Sequence, residues 1–297
     1  ITLVTYPGLT EEQQSLLPKL KRAAISLPVL FEDSTHQLWQ CETHSGPMIF
    51  KVCQQKQIEE SVFWQGMNHL FNADFPTSLQ HIEAIYQQIA TTGELTIPNY
   101  IASKSSHFVL ASWLEGTMLE ASQVNDAMVN QLANHLGKLH NQTQTTWGPF
   151  HQATLPAKAW PNRLCETIQL LAKNKVPSLV SQQLLNEAIE QAKKVNPPYF
   201  SPIMPDLRWD QFLQQNNQLS ALVDLDAVVF GPPELELILL EYLLTEQQAD
   251  NFKKVYQQHK MMPDLSQVRI CYRLLLFLMN VLGERSQATW FEVSPKF

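Results

Sequence analysis

The sequence lacks the marks of several protein classes. Four cysteines, Cys41, Cys53, Cys165 and Cys271, are scattered with no C-x-x-C pair and no paired histidines beside them. That excludes a disulfide framework and a zinc site, and fits a reducing compartment. No run approaches ~18 apolar residues, and the N-terminus has no basic-then-apolar leader, so neither a spanning helix nor a signal peptide is expected. The chain begins at Ile1, which leaves a removed upstream segment open. An excess of basic charge is also missing: 21 Lys and Arg against 28 Asp and Glu give a formal charge of −7. A nucleic-acid binder normally presents a basic surface, so neither nucleic acid nor membrane is an expected partner. What is present is a chain of 297 residues, 44% hydrophobic and 16% charged, long enough for one large domain or two lobes. The default location is cytoplasmic.

The hydrophobic pattern changes character along the chain. Residues 11–24 have helical spacing, with Leu16, Leu17, Leu20 and Ala24 on one side. Residues 29–31, 37–42 and 48–52 read as short strands, the last two joined across the turn at residues 44–47. Residues 58–71 and 78–90 return to helical spacing, and 98–101 and 108–112 are again strand-like. After Gly116 helices dominate, beginning with an amphipathic one over residues 124–140 and continuing at 164–171, 184–192, 234–244 and 268–282. Two apolar segments, 212–213 and 220–224, flank a polar turn at 214–218 and predict a hairpin. The expected fold is α+β and bilobal, with a β-rich N-terminal lobe over residues 1–112 and a larger, mostly helical lobe over 113–297.

Several polar residues stand where a structural reading alone leaves them unexplained. Lys51 interrupts an apolar strand and is either an edge lysine or a cleft residue. Glu59, Glu60 and Gln65 follow on the next helix, and any of them is a candidate partner for it. Asp206 sits in a proline-flanked, non-helical stretch, with the amide Gln211 five residues on. Asp224 and Asp226 then alternate with Val223 and Leu225 at the end of an apolar strand. Acids buried there without partners would be costly, and a divalent cation would offset the cost. His140 ends a helix and reads as a packing or capping residue. His44, His69, His81 and His107 show no metal-ligand spacing. Trp113 and Trp209 suit either a pocket or the core, and Met261 and Met262 read as core.

The order Asp206-Leu207, Gln211, Phe212-Leu213, hairpin, Val223-Asp224-Leu225-Asp226, Gly231 resembles the catalytic loop of the aminoglycoside phosphotransferase and choline/fructosamine kinase superfamily, with its protein-kinase-like fold. Ile97-Pro98, Phe108 to Gly116, and the helix ending in Leu136-Gly137-Lys138-Leu139-His140 agree in order and spacing, so the resemblance spans roughly residues 30 to 245. It implies an ATP- and Mg²⁺-dependent phosphotransferase acting on a hydroxyl of a small molecule such as an amino sugar, fructosamine, choline-like alcohol or antibiotic. Asp206 would be the catalytic base, and Gln211 and Asp224 the magnesium ligands. Lys51 would meet the ATP phosphates with Glu60 as partner, Ser34 and Thr35 would lie over the phosphates, and Ser112, Trp113 and Leu114 would hold adenine. Glu236 would sit at a helix start and orient the loop. The chain departs from the pattern at Met204-Pro205 in place of His-Gly, at Arg208 in place of His, at Gln211 in place of Asn, and in having no glycine between Phe31 and Ser45. These departures raise the alternative of a catalytically impaired pseudokinase that only binds nucleotide or ligand.

Overall fold

A computed structural model describes residues 4–174, 180–283 and 286–297. The chain first builds a five-stranded antiparallel sheet. β1 (Ile25–Ser26), β2 (His36–Thr43) and β3 (Gly46–Cys53) form a meander; β4 (Tyr100–Lys104) and β5 (Phe108–Ser112) complete the order β1-β2-β3-β5-β4. Between β3 and β4 lie α1 (Gln55–Glu60), α2 (Val62–Phe71) and α3 (Ile82–Thr92). Period-2 alternation along a strand gives the sheet two different faces. Cys41, Met48, Phe50, Phe108 and Leu110 pack on Tyr6, Leu9 and Leu17 of the N-terminal segment. Val109 and Ala111, from the other face of β5, join the main core. Lys51 pairs across β3 and β5 with Val109, so the register turns it toward the helices and the rest of the molecule.

The second half begins with β6 (Thr117–Met118), α4 (Asp126–His140), β7 (Thr146–Pro149), β8 (Leu155–Pro156), α5 (Trp160–Asn174) and α6 (Gln182–Ala192). It continues with β9 (Ser201–Ile203), β10 (Phe212–Gln215), β11 (Gln218–Leu222), β12 (Val229–Gly231), α7 (Pro233–Leu243), α8 (Glu246–Tyr256), α9 (Arg269–Leu278) and α10 (Gln287–Glu292). α4 starts where the Asn125 side chain accepts from Met128 N, and it buries Met128, Val129, Leu132, Leu136 and Leu139, the stripe its sequence shows. α7 opens with Pro233 in its first turn, where the missing N–H is not needed. The β10–β11 hairpin turns on Asn216 and Asn217, both at positive φ (53° and 61°), the backbone that a two-residue hairpin requires. Its partner on the other side is β6, so the segment leaving the first sheet enters the second beside this hairpin.

Three sequence expectations fail. Residues 11–24 form turns rather than a helix, because Pro18 interrupts the backbone ladder; Leu17 reaches the core while Leu16 is 96% exposed. Residues 29–31 form a loop in which Val29, Leu30 and Phe31 are exposed, and the short strand falls at Ile25–Ser26. Met261, expected in the core, lies in the loop after α8 and is 83% exposed.

Candidate active site

Four acidic or basic side chains meet beneath the first sheet. Lys51 Nζ lies 3.6 Å from Asp226 Oδ1 and 3.8 Å from Asp224 Oδ1. His36 Nε2 approaches Asp226 from the start of β2, at 3.1 Å from Oδ2. Asp224 and Asp226 follow β11, whose end is tied down by Leu222 N donating to Thr96 O and Val223 N donating to Gln211 O. The alternating sequence sends both carboxylates to the same side, but their settings differ. The Asp226 side chain is 3% exposed and Asp224 is 36% exposed, open to the cleft.

The ionisation states follow from burial and charge. Burial alone would lower the Lys51 pKa, but the Asp226 and Asp224 carboxylates outweigh it and hold the ammonium well above its ordinary value. Burial pulls His36 below its ordinary value despite Asp226, so near neutral pH it sits there without charge. Burial would raise Asp224, yet Lys51 keeps it lowered and ionised. Asp206 is pushed up to about 8, first by burial and then by the Asp224 charge, with Arg208 opposing. At neutral pH a charged Lys51 and an ionised Asp224 therefore stand beside a largely protonated Asp206.

Asp206 is carried by a loop whose anchors lie deep in the second half. Met204 N donates to Glu236 Oε2 at 2.7 Å, and the other oxygen of Glu236 accepts from His140 Nε2 at 2.6 Å. His140 Nδ1 in turn meets the Tyr256 hydroxyl at 2.7 Å. His140 thus packs in the interior, as its sequence position suggests, and its partner Glu236 at the start of α7 fixes the loop backbone two residues before Asp206. Gln211 closes the loop from the other side, its Nε2 donating to Asp206 O at 2.8 Å and its Oε1 accepting from Arg208 N at 3.2 Å. Arg208 itself pairs with Asp210 at 2.9 Å and lies over the Phe31 ring at 5.8 Å, reaching across to the loop before β2.

The structure brings together Lys51, Asp206, Asp224 and, beside them, Asp226 and His36. Glu60 is not part of the cluster. It is the exposed last residue of α1, and Ser61 then breaks the helix to cap α2, accepting from Trp64 N. Tyr86 is buried on α3 and stands within electrostatic range of Lys51. Ser34 and Thr35 lie at the entrance to β2 with their hydroxyls engaged locally, Ser34 Oγ donating to His36 O and Thr35 Oγ1 meeting His36 Nδ1. In the connector, Ser112 N donates to Asn99 O and Trp113 N to Pro47 O, while the Trp113 carbonyl and both backbone groups of Leu114 have no hydrogen-bond partner among the described residues. Trp209 belongs to the core, donating its ring N–H to Leu243 O at 3.1 Å. Asp226 was visible in the Asp-x-Asp pattern without an assigned role. Tyr86 gave no signal, since it falls on the same stripe as Ile82, Ile85 and Ile89.

As a pair of hard oxygen donors, Asp224 and Asp226 suit a cation such as magnesium, which takes one or two carboxylates and fills its remaining positions with phosphate oxygens and water. Asp224 has the open side. Gln211 engages both amide atoms within its own loop, Oε1 keeping one lone pair beyond its bond from Arg208 N.

The model of the phosphotransferase enzyme family matches residues 30–271. The chain belongs to that family. Among solved structures it is similar to a macrolide 2'-phosphotransferase, MphH from Brachybacterium faecium, with a TM-score of 0.58 at 11% identity over 96% of each chain. It is similar to the gentamicin complex of APH(2")-IIa, with a TM-score of 0.58 at 14% identity over 92% of this chain and 86% of that one. A thermostable mutant of the aminoglycoside phosphotransferase APH(4)-Ia, in a ternary complex with ADP and hygromycin B, gives 0.58 at 14% identity, covering 89% and 88%. At these identities the likeness establishes the fold, that of the protein-kinase-like phosphotransferases. No curated protein matches the chain. Among the described residues, no helix is long and apolar enough to cross a membrane.

Proposed function

We propose that this family member is an ATP-dependent phosphotransferase acting on a hydroxyl of a small molecule, with the nucleotide held between a lobe of residues 1–112 and a lobe of residues 113–297. The observation that carries the reading is the convergence of Lys51, Asp224 and the buried acid Asp206, three groups from distant parts of the chain with the chemistry that phosphoryl transfer needs. Lys51 is the phosphate-binding cation. Its ammonium is held by two carboxylates, and a polyphosphate can take their place. Asp224 would hold magnesium, with Asp226 behind it; bound there, the ion would neutralise phosphate charge. Gln211 remains a candidate ligand if its amide turns outward, and in the orientation described it acts as a brace for the loop. Leu114 offers the free backbone groups for adenine, next to Ser112 and Trp113, and Ser34 and Thr35 shape the loop above the phosphates.

Asp206 acts on the acceptor. Its raised pKa makes it a strong base once ionised, and burial, with the neighbouring Asp224 charge, sets when that happens. The hydroxyl proton of the acceptor would pass to the Asp206 carboxylate as the acceptor oxygen bonds to the γ-phosphorus of ATP and the bond to the β,γ-bridging oxygen breaks, releasing ADP. The APH(2")-IIa and APH(4)-Ia structures are of complexes with gentamicin and with hygromycin B, and MphH is a macrolide 2'-phosphotransferase. Polyhydroxylated antibiotics and amino sugars therefore head the acceptor panel, with fructosamines and choline-like alcohols after them.

Calorimetric titration with ATP, with and without magnesium, tests nucleotide binding; a chain with no affinity under either condition sinks the reading. Turnover on the acceptor panel beside Asp206→Ala tests the base, and equal activity of the two proteins removes Asp206 from that role. The inward-turned Gln211 amide favours one other reading, a pseudokinase that binds nucleotide without transferring it. Binding without turnover on every acceptor supports that reading.

A further inference from the structure

Two departures noted in the sequence, a phosphate loop without glycine and an arginine two places after Asp206, meet in space. The loop of residues 27–35 joins β1 to β2. Its feet are fastened to the sheet, Leu27 N donating to Leu38 O at 2.9 Å and Gln54 N to Thr35 O at 2.8 Å. Its tip is turned by Ser34 N donating to Phe31 O at 3.2 Å and leaves Phe31 52% exposed. The Arg208 guanidinium carbon stands 5.8 Å from the centre of that ring, within the ~6 Å reach of a cation–π contact. Arg208 is itself held in place: Nε and Nη2 donate to Asp210 Oδ1 at 2.9 Å and Oδ2 at 3.4 Å, and its backbone N–H donates to Gln211 Oε1. Just past the other end of the loop, His36 Nε2 lies 3.1 Å from Asp226 Oδ2. This segment therefore touches the second half of the chain at its tip and at its foot. Beneath it the Lys51 and Asp226 side chains are 8% and 3% exposed and Asp206 is buried, while Asp224 stays open.

We propose that Phe31 and Arg208 form a latch that keeps the phosphate loop closed over Lys51 in the free protein and opens to admit the nucleotide. The inference rests on the phosphotransferase reading and adds to it a control of entry. A polyphosphate reaching Lys51 has to displace a cover, because a lysine side chain 8% exposed has no room beside it for a phosphate group. A loop without glycine has fewer backbone conformations open to it, so it moves as a stiffer piece whose position is set at its tip. One cation–π contact to a half-exposed ring is weak enough for an arriving ligand to break. The guanidinium clamped by Asp210 gives the ring a fixed seat to return to.

The test uses Phe31→Leu, Arg208→Gln and the two combined, in the full chain. Two quantities are measured: amide hydrogen exchange over residues 28–34 without nucleotide, and the association rate of a fluorescent, ribose-labelled ADP with magnesium. Losing a cation–π contact at a partly exposed site corresponds to roughly two- to fivefold in the population of the open loop. Exchange and association should both accelerate by that factor in each single variant. The double variant should be no faster than either, since the one contact can be removed only once. Unchanged exchange in Phe31→Leu, or effects that multiply in the double variant, overturn the latch and leave the phosphotransferase reading standing. Faster exchange with an unaltered association rate overturns it too, because the nucleotide then enters by another way. If the labelled ADP binds neither wild type nor any variant, the latch and the phosphotransferase reading fall together.

Discussion

Replacing Asp206 by asparagine should make the free protein more stable, by an amount that depends on pH. In the unfolded chain this carboxyl has its ordinary pKa of 3.8, and in the folded protein it stands at about 8. Between those values the folded state binds a proton that the unfolded state does not, so the contribution of Asp206 to stability falls as pH rises from the lower value to the higher one. Each unit is worth ~1.4 kcal/mol. At pH 7 roughly three units separate the unfolded pKa from the solution, which sets a ceiling of ~4 kcal/mol on the destabilisation. Local relaxation and water entry bring the expected figure to ~1–3 kcal/mol. The amide of Asp206→Asn has the same shape and carries no charge, and the Gln211 bond to the backbone oxygen of residue 206 is untouched. Urea unfolding at a series of pH values from 4 to 9 measures the difference directly. It should be small near pH 4, grow through neutrality and level off above about 8. A variant that is less stable than wild type, or a difference that does not change with pH, refutes the claim that Asp206 is a buried, protonated acid.

Three further outcomes follow from the same geometry. Lys51→Met leaves Asp226 buried without its cation, so it should lose ~3 kcal/mol in urea unfolding and most of its nucleotide affinity in titration. Glu60→Ala should change stability by less than ~0.5 kcal/mol and leave nucleotide affinity as it was, since the side chain is exposed and apart from Lys51. Glu236→Gln weakens the bonds to His140 and Met204 N. It should cost ~1–3 kcal/mol in unfolding experiments and reduce turnover more than nucleotide affinity, because it acts on the Asp206 loop rather than on Lys51.

Local sequence determined a good deal of this molecule. The alternation in residues 46–53 specifies a two-faced strand and puts Lys51 opposite Phe50, because side chains on a strand point alternately to either face. The stripe of α4 was legible, and so was a polar turn expected over 214–218 and found at Asn216 and Asn217, as each rests on contacts within a few residues. Asp-x-Asp at the end of an apolar strand could be read as a chemical site, since two acids there need a cation. Local sequence was misleading over residues 11–24, where helical spacing held but Pro18 and a second core under the sheet took Leu17 and left Leu16 outside.

Only the tertiary structure decided who partners whom. Lys51 meets Asp224 and Asp226, which lie more than 170 positions away, because the register of β3 on β5 and the end of β11 bring them to one place. Glu60 and Tyr86 follow Lys51 on α1 and α3, with α2 between them, and no periodicity says which helix packs beneath the sheet. The brace from Tyr256 through His140 and Glu236 to Met204 joins four segments, and its necessity arises from burial: polar groups taken out of water must find one another wherever the chain has put them. The kinds of residue that could do phosphoryl chemistry were set by the sequence. Their pairing and their protonation states were set by packing, because both depend on distance and burial, which no linear pattern contains.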